Sequence, residues 1–564
     1  MTFLAIELCL TAICLGLAQT RPQLADAWFS RVERSLSTFA QNRGRAVLVA
    51  GLLALGARLA LLPELPIPEP KVSDEYSHLL LGDTLAHGRL ANPTHPMWIH
   101  FETFQENWRP TYASMYYPGY GAFLALGQVV MGHPFWGVWF SSGLMCAAIC
   151  WALQGWMPAG WALLGSFVVI VRLGTFSYWV DSYWGGTVTA LAGALALGAL
   201  PRIKEKRRVR DSLTLAFGTS LLAYTRPYEG LFFSLPIMAA LIWWMGRDYA
   251  SGQNTTLLPL ALAFILTMAV ALAALAYYFW RVTGSPLTTP YQVNMRTYGL
   301  VYFPWEKIRP VPHYHHEFMR MFYRGGSVEG WYLFARQHPL KLQFLKALVV
   351  WLFFFGPVFT VPWVAWLFAR PKKQFWSSIS RPIAFLLLLC AVTYLSCMLT
   401  IYIGQPHYIA HLTVVFYVLM LLMLREQYDT RGPSGRFVAR SVPLICLVLL
   451  VARISAPAFH LTPQPSWTRT WCSQDWQNLE RARVLKQLEQ LPGAHLVIVR
   501  YRPEHDFILD EWVYNNADID GSKVIWARDM GAKENSELLQ YFHYRHTWLV
   551  EPDYNPPRLL PYAD

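Results

Sequence analysis

Long apolar runs separated by short polar ones set the rhythm of this chain. Runs at about 46–62, 134–156, 161–178, 185–201, 211–225, 229–246, 256–280, 345–369, 382–403, 406–424 and 441–458 predict membrane-spanning helices, because about 20 apolar residues cross a bilayer core. Residues 1–19 are a further apolar run, read as an added membrane helix. Glu7 within it, and the lack of a basic start or small-residue cleavage site, argue against a removed signal peptide. Between the first two spans the pattern changes. Ser73 to His87 (SDEYSHLLLGDTLAH) reads as a helix opened by Ser73 and closed at Gly88, with Leu79, Leu80, Leu81 and Leu85 free to rest on the membrane interface. A Pro/His/Trp stretch follows, and then residues 119–131, an apolar helix too short to span, which is placed along the surface.

Beyond about residue 460 charge density rises. A helical segment (DWQNLERARVLKQLEQLPG) precedes strand-like HLVIVRY, SKVIWARD and HTWLVEPD, with helix-like KENSELLQYF between them, which predicts a small α/β domain. The expected fold is therefore a polytopic α-helical membrane protein with about 11–12 spans and a small outer α/β domain at the C-terminus. Its parts are an N-terminal membrane helix and linker (1–45), a membrane domain (46–458) with outer loops 63–133 and 282–344, and the terminal domain (459–564).

Composition agrees with this class: 54% of residues are hydrophobic and 15% charged, with 25 Trp and 29 Tyr. Dense Lys/Arg occurs in Arg21–Arg45, Arg202–Arg210, Arg370–Arg381 and Arg425–Arg440, all on one side when the spans are counted through. Basic loops mark the inner face. The loop 63–133, the turns at Asp181, Arg226–Glu229 and His407, the loop 282–344 and the tail after Pro457 then lie outside. The same bias explains most of the net charge of +12, so nucleic acid is not an expected partner. Seven of the eight cysteines lie in apolar runs and only Cys472 in the outer tail, so no disulfide framework is expected.

The unusual polar residues gather on the outer side. Asp74 and Glu75 stand together just after the first strong span. Arg58, Arg172, Arg226, Arg281 and Arg453 fall at or near outer helix ends. Arginine near a bilayer is costly unless it snorkels or meets an anion, and its fork suits a phosphate. Carboxylates beside phosphate-binding arginines at a lipid–water boundary suit transfer from a lipid phosphate: a base takes the acceptor proton, and cations stabilise the departing phosphate. Each has a plainer reading. Asp74 and Glu75 complement a helix dipole in its first turn, Asp181 caps the next helix, Arg226 and Glu229 pair across a turn, and His407 is structural. Trp98, Trp108, Tyr112, Tyr116 and Tyr117 form an interface belt first and a sugar platform second. No internal repeat, metal-spaced Cys/His set, Gly-rich phosphate loop or nucleophile elbow is present.

A helix running outward, then DE opening a surface helix that continues Tyr76…Ala86-His87-Gly88-Arg89-Leu90, resembles the first outer loop of the GT-C glycosyltransferases. The subgroup it is most similar to is that of the bacterial protein mannosyltransferase and aminoarabinose transferase-like proteins, glycosyltransferase family 39. The resemblance covers roughly 45–460 and is strongest over 70–230. It implies Asp74 as catalytic base with Glu75 beside it, and Asp181 in FSYWVDSYWGG as the second acidic loop, although the Trp-Gly-Gly after it departs from the usual pattern. It places TRPYEG (225–230) and QPHY (405–408) at the donor cavity, with Tyr76, His78, Glu229, His407 and Tyr408 as lining residues. The function so implied is inverting transfer of a hexosyl or pentosyl group from a polyprenyl-phosphate donor to an acceptor hydroxyl of a glycan, lipid or protein. No cofactor is specifically implied, and a divalent metal stays open. Two other readings stand beside it: a transporter or flippase of lipid-linked sugars, which should carry broken helices and midplane charges, and a polymerase or ligase of lipid-linked glycans.

Overall fold

The computed structural model describes residues 2–250, 257–308, 310–326, 328–368, 380–402, 404–461, 465–466, 469–473 and 475–562. Its helices, in order, begin with α1 (Thr2–Thr20), α2 (Asp26–Gln41), α3 (Arg43–Ala60), α4 (Ser73–Ala86), α5 (Pro118–Met131) and α6 (Phe135–Trp156). They continue as α7 (Ala159–Val169, ending in a π turn), α8 (Gly186–Lys206), α9 (Val209–Thr225), α10 (Pro227–Ala250), α11 (Leu257–Thr283) and α12 (Pro290–Tyr298). Among the described residues nine helices are long and apolar enough to cross a membrane: Phe3–Thr20, α6, α8, α10, α11, Pro339–Ala365, Arg381–Met398, Pro406–Thr430 and Gly432–Phe459. The other three predicted spans are helical but fall short. The α3 helix carries Arg43, Arg45 and Arg58, α9 has 17 residues, and Ala159–Gly174 is shorter still. All three nevertheless pack inside the bundle, α3 on α6, α7 on α6 and α9 on α8. Most of the basic segment Arg370–Arg381, expected on the inner face, lies outside the described residues, which omit 369–379.

The first outer loop folds as expected in outline. Gly88 closes α4 with φ at +69°, a backbone that favours glycine. Ser73 does not open it: the N-cap is Val72, and the Glu75 carboxylate accepts the N–H of Val72 (3.2 Å) and Lys71 (3.0 Å) instead. The next helix, α5, is clamped against α6 where Gly127 meets Gly137. A Cβ on Gly137 would fall 1.9 Å from the carbonyl oxygen of Phe123, so any side chain there would push the helices apart. The outward residues of α5, Leu126, Val129, Val130 and Met131, are exposed and apolar, the pattern of a helix lying in an interface.

The terminal domain is a four-stranded sheet in the order β4–β3–β5–β6, with β3 (His495–Val499), β4 (Val524–Arg528), β5 (His546–Glu551) and β6 (Arg558–Pro561). The first three are mutually parallel and β6 is antiparallel to β5. Helix Ala532–Tyr541 makes the β4–β5 crossover. The domain sits on the first outer loop: Leu80, Phe101, Trp108 and Tyr112 share a core with Leu496, Ile525, Leu538 and Phe542. Tyr76 stacks on Tyr514 at 4.0 Å, and the Ala517 N–H donates to Asp83 at 2.8 Å. Loop and tail therefore occupy the same side of the bundle.

Candidate active site

Adjacent residues on a helix point about 100° apart, and the Asp74–Glu75 pair is split accordingly. Glu75 is buried and takes three backbone donors, from Lys71, Val72 and, at 3.0 Å, Tyr183. Burial, with Asp475 nearby, pushes its carboxyl up to about 8. It ties the start of α4 to the Asp181 loop, and its oxygens are spent there rather than offered to a substrate. The resemblance sets it beside Asp74 in catalysis; in the fold its contacts are to main-chain donors. Asp74 is half-buried. It accepts hydrogen bonds from the Tyr116 hydroxyl and, at 3.4 Å, from the Gln105 amide.

A two-residue antiparallel ladder delivers both donors. Strands β1 (Glu106–Asn107) and β2 (Ala113–Ser114) pair Glu106 with Ser114 and Asn107 with Ala113, so Gln105 and Tyr116 emerge from the same end. Gln105 has φ at +61°, an unusual conformation for a side-chain-bearing residue. Its carbonyl is held there by the Ser77 hydroxyl (2.7 Å) and the Met115 N–H (3.1 Å).

Arg226, between α9 and α10, reaches the same place from another outer turn. Its guanidinium lies 4.3 Å from the Tyr408 ring centroid and interacts electrostatically with Glu229, Tyr302 and Tyr116. Tyr291 of α12 feels Tyr408, Arg226 and Asp74 together. His78, one turn after Asp74, stacks on Tyr116 at 4.2 Å. Burial and then Arg226 push it down to about 3, so it is a neutral imidazole. Outer segments far apart in sequence thus meet around one carboxylate and one guanidinium.

The remaining candidates divide. Arg58, fully buried, donates to the carbonyls of Leu65 (2.8 Å), Pro66 (3.4 Å) and Val180 (3.4 Å) and pairs with Asp181 at 3.4 Å. Asp181 is itself buried, and the loss of water lifts it to about 7 against the pull of Arg58. It neither caps α8 nor reaches the Asp74 cluster; it is the counter-charge of a loop clamp. Arg172 donates to the carbonyls of Phe355 and Phe353 beneath Trp471, and Arg453 donates to the Cys472 carbonyl over Phe176. Arg281 is exposed beside the Tyr277 hydroxyl. Buried guanidiniums whose hydrogens already serve main-chain oxygens are poor phosphate hosts, which leaves Arg226 beside the Asp74 cluster and Arg281 at an exposed helix end. His407 Nδ1 lies 3.0 Å from the Tyr178 hydroxyl. Gln105, Tyr291 and Tyr302 carry no signal in spacing or motif; Tyr116 stands in an aromatic cluster whose first reading is an interface belt. Among the described residues no group of three or more His, Cys, Asp or Glu is placed to hold a metal ion.

No family model and no curated protein matches the chain. Solved structures do. The oligosaccharyltransferase of Archaeoglobus fulgidus in complex with Zn and sulfate is similar with a TM-score of 0.47 and 12% identity, over 90% of this chain and 67% of that one. AglB from the same organism, in complex with an inhibitory peptide and a dolichol-phosphate, gives 0.47 and 11% over 90% and 69%. ArnT from Cupriavidus metallidurans, bound to undecaprenyl phosphate, gives 0.46 and 12% over 89% and 92%. These neighbours are GT-C glycosyltransferases.

Proposed function

We propose that this chain is a membrane glycosyltransferase of GT-C type that moves a sugar from a polyprenyl-phosphate donor to an acceptor hydroxyl at the outer face, with inversion. The observation that carries the reading is the half-exposed Asp74 carboxylate, oriented by Tyr116 and Gln105 and facing Arg226 across a shared tyrosine cluster. In this reading the acceptor O–H gives its proton to Asp74 while its oxygen attacks the anomeric carbon from the face opposite the phosphate. The bond to the phosphate oxygen breaks, and the lipid phosphate leaves with both electrons. Asp74 suits the base role because its two donors fix the orientation of the carboxylate. Arg226 suits the leaving group: it is half-buried, its guanidinium lies 4.3 Å from the Tyr408 ring centroid, and its fork can present two N–H groups to a phosphate. The lipid tail stays in the bilayer, which fits a site at the outer ends of the helices. We place the protein in a bacterial inner membrane with this face towards the periplasm.

The test is Asp74→Asn, assayed in purified protein by release of polyprenyl phosphate from sugar-charged donor. The amide keeps the size and the ability to accept from Tyr116 but cannot take a proton, so turnover should fall by about two to four orders of magnitude with donor binding retained. Near-normal turnover would remove Asp74 from the mechanism.

A further inference from the structure

Behind α4, on the face away from Asp74, lies a separate cavity of about 350 Å³ between the terminal domain, the chain before α4 and the α5–α6 turn. Tyr76, Leu80 and Asp83 line it, a spacing that marks one helix face, whereas Asp74 and His78 share the opposite one. Its volume lies in the range of small-ligand sites, which favour domain boundaries.

The chemistry of the walls selects among ligands. Both cations of the walls are anchored. Arg481 donates to the carbonyls of Trp512 (2.9 Å) and Tyr514 (2.9 Å), and its guanidinium lies over the rings of Tyr76 and Trp526. Lys523 donates to the Glu489 carbonyl at 2.5 Å. Asp83 is likewise committed, to Gln128 at 2.7 Å and the Ala517 N–H at 2.8 Å. What remains free is accepting capacity. Glu69 is half-buried in the wall, and among the described residues its carboxylate accepts no hydrogen bond, although its own N–H is tied to Gln477. Loss of water raises its pKa, Arg481 opposing. Asn516 stands exposed at the mouth. The deeper walls are aromatic: Tyr76 stacked on Tyr514, with Tyr183 and Trp526.

Free acceptors, committed cations and aromatic walls suit a ligand that brings many hydroxyl donors and an apolar C–H face but no charge. We propose that this cavity binds a neutral saccharide, with Glu69 and Asn516 accepting its hydroxyls and the Tyr76–Tyr514 pair and Trp526 forming the apolar floor. The site stands one helix away from Asp74 and does not depend on the chemistry proposed there.

The experiment is saturation-transfer NMR on the full chain in detergent, with maltotriose, mannotriose and chitotriose as probes, and trigalacturonate and trilysine as charge controls. At least one neutral trisaccharide should bind saturably, and Glu69→Gln should raise its Kd about tenfold, the loss of one charge-assisted hydrogen bond. Asn516→Trp, at an exposed position, should block the mouth with the thermal midpoint unchanged. Asp74→Asn should bind as the parent does, so that failure of the catalytic reading and failure of this one are told apart. The proposal is overturned if no neutral trisaccharide saturates, if Kd is unchanged in both cavity variants, or if trilysine or trigalacturonate is the ligand whose binding those variants weaken.

Discussion

Arg58 offers the sharpest separation between a structural and a phosphate-binding arginine. It is fully buried, makes one hydrogen bond of good length to Leu65 and three at 3.4 Å to Pro66, Val180 and Asp181, and lies 5.0 Å from the Phe135 ring. In Arg58→Met the volume is nearly kept while every donor is lost. Removing one partner of a buried pair costs about 3–5 kcal/mol, because the other is stranded without water. Here the lower end applies. Burial already holds Asp181 up near 7, so without Arg58 it takes a proton rather than stay buried as an anion. A loss of about 3 kcal/mol lowers the thermal midpoint of a chain this long by roughly 2–3 °C, on the per-residue unfolding entropy of soluble domains. Asp181→Leu added to Arg58→Met removes the stranded acid and should recover much of the loss, as when a buried ion pair is replaced by apolar residues. The assay is thermal unfolding of detergent-purified protein alongside binding of polyprenyl phosphate by the folded fraction. If Arg58→Met unfolds at the parent temperature yet no longer binds the lipid phosphate, Arg58 is a donor ligand and the clamp assigned to it is wrong.

Other outcomes follow from the same geometry. Arg226→Lys keeps the charge and loses the fork, so turnover should fall with the fold intact, while Arg226→Ala should also weaken polyprenyl-phosphate binding; a variant that is only less stable, with normal binding, would reduce Arg226 to a partner of Glu229. Tyr116→Phe removes one donor from Asp74 and should lower turnover about tenfold, the worth of a hydrogen bond to a charged group; unchanged turnover would show that this bond does not orient the base. Asp181 at about 7 and Glu75 at about 8 are both raised above the values of unfolded carboxylates, so the folded state holds more protons. Their contribution is present in full below about pH 4 and is lost as pH rises towards 8. The thermal midpoint should therefore be higher at pH 5.5 than at pH 8.5, with a flatter profile in Asp181→Asn; a midpoint that climbs across this window would contradict it. Cysteines placed at the exposed positions Arg109 and Ser536 should label from outside intact cells and one at Arg208 only after permeabilisation; the reverse pattern would invert the topology.

The sequence by itself determined the elements and much of their placement. Apolar runs must be helical in a bilayer, where the backbone has no water to bond, so the spans were legible from composition alone. Charge asymmetry then put the first loop and the tail on one side, and the structure packs the two together through Tyr76–Tyr514 and Asp83–Ala517. The α4 helix and the three parallel strands were visible as local periodicity; β6 was not, because RLLP is short and carries Pro561. Only the tertiary structure decided which charged residues share a site. Asp74 and Glu75 are neighbours in sequence, yet a helix turns them to different surroundings, one to the Tyr116 hydroxyl and the other to three backbone N–H groups. Five arginines looked alike because each sits near an outer helix end. What separates them is what each guanidinium meets, a main-chain carbonyl for Arg58, Arg172 and Arg453 and the Tyr408 ring for Arg226. Some of these acceptors are near in sequence, Leu65 for Arg58 and Cys472 for Arg453, but others come from segments more than a hundred residues away, as Val180 does for Arg58 and Phe355 for Arg172. No local pattern along the chain encodes them.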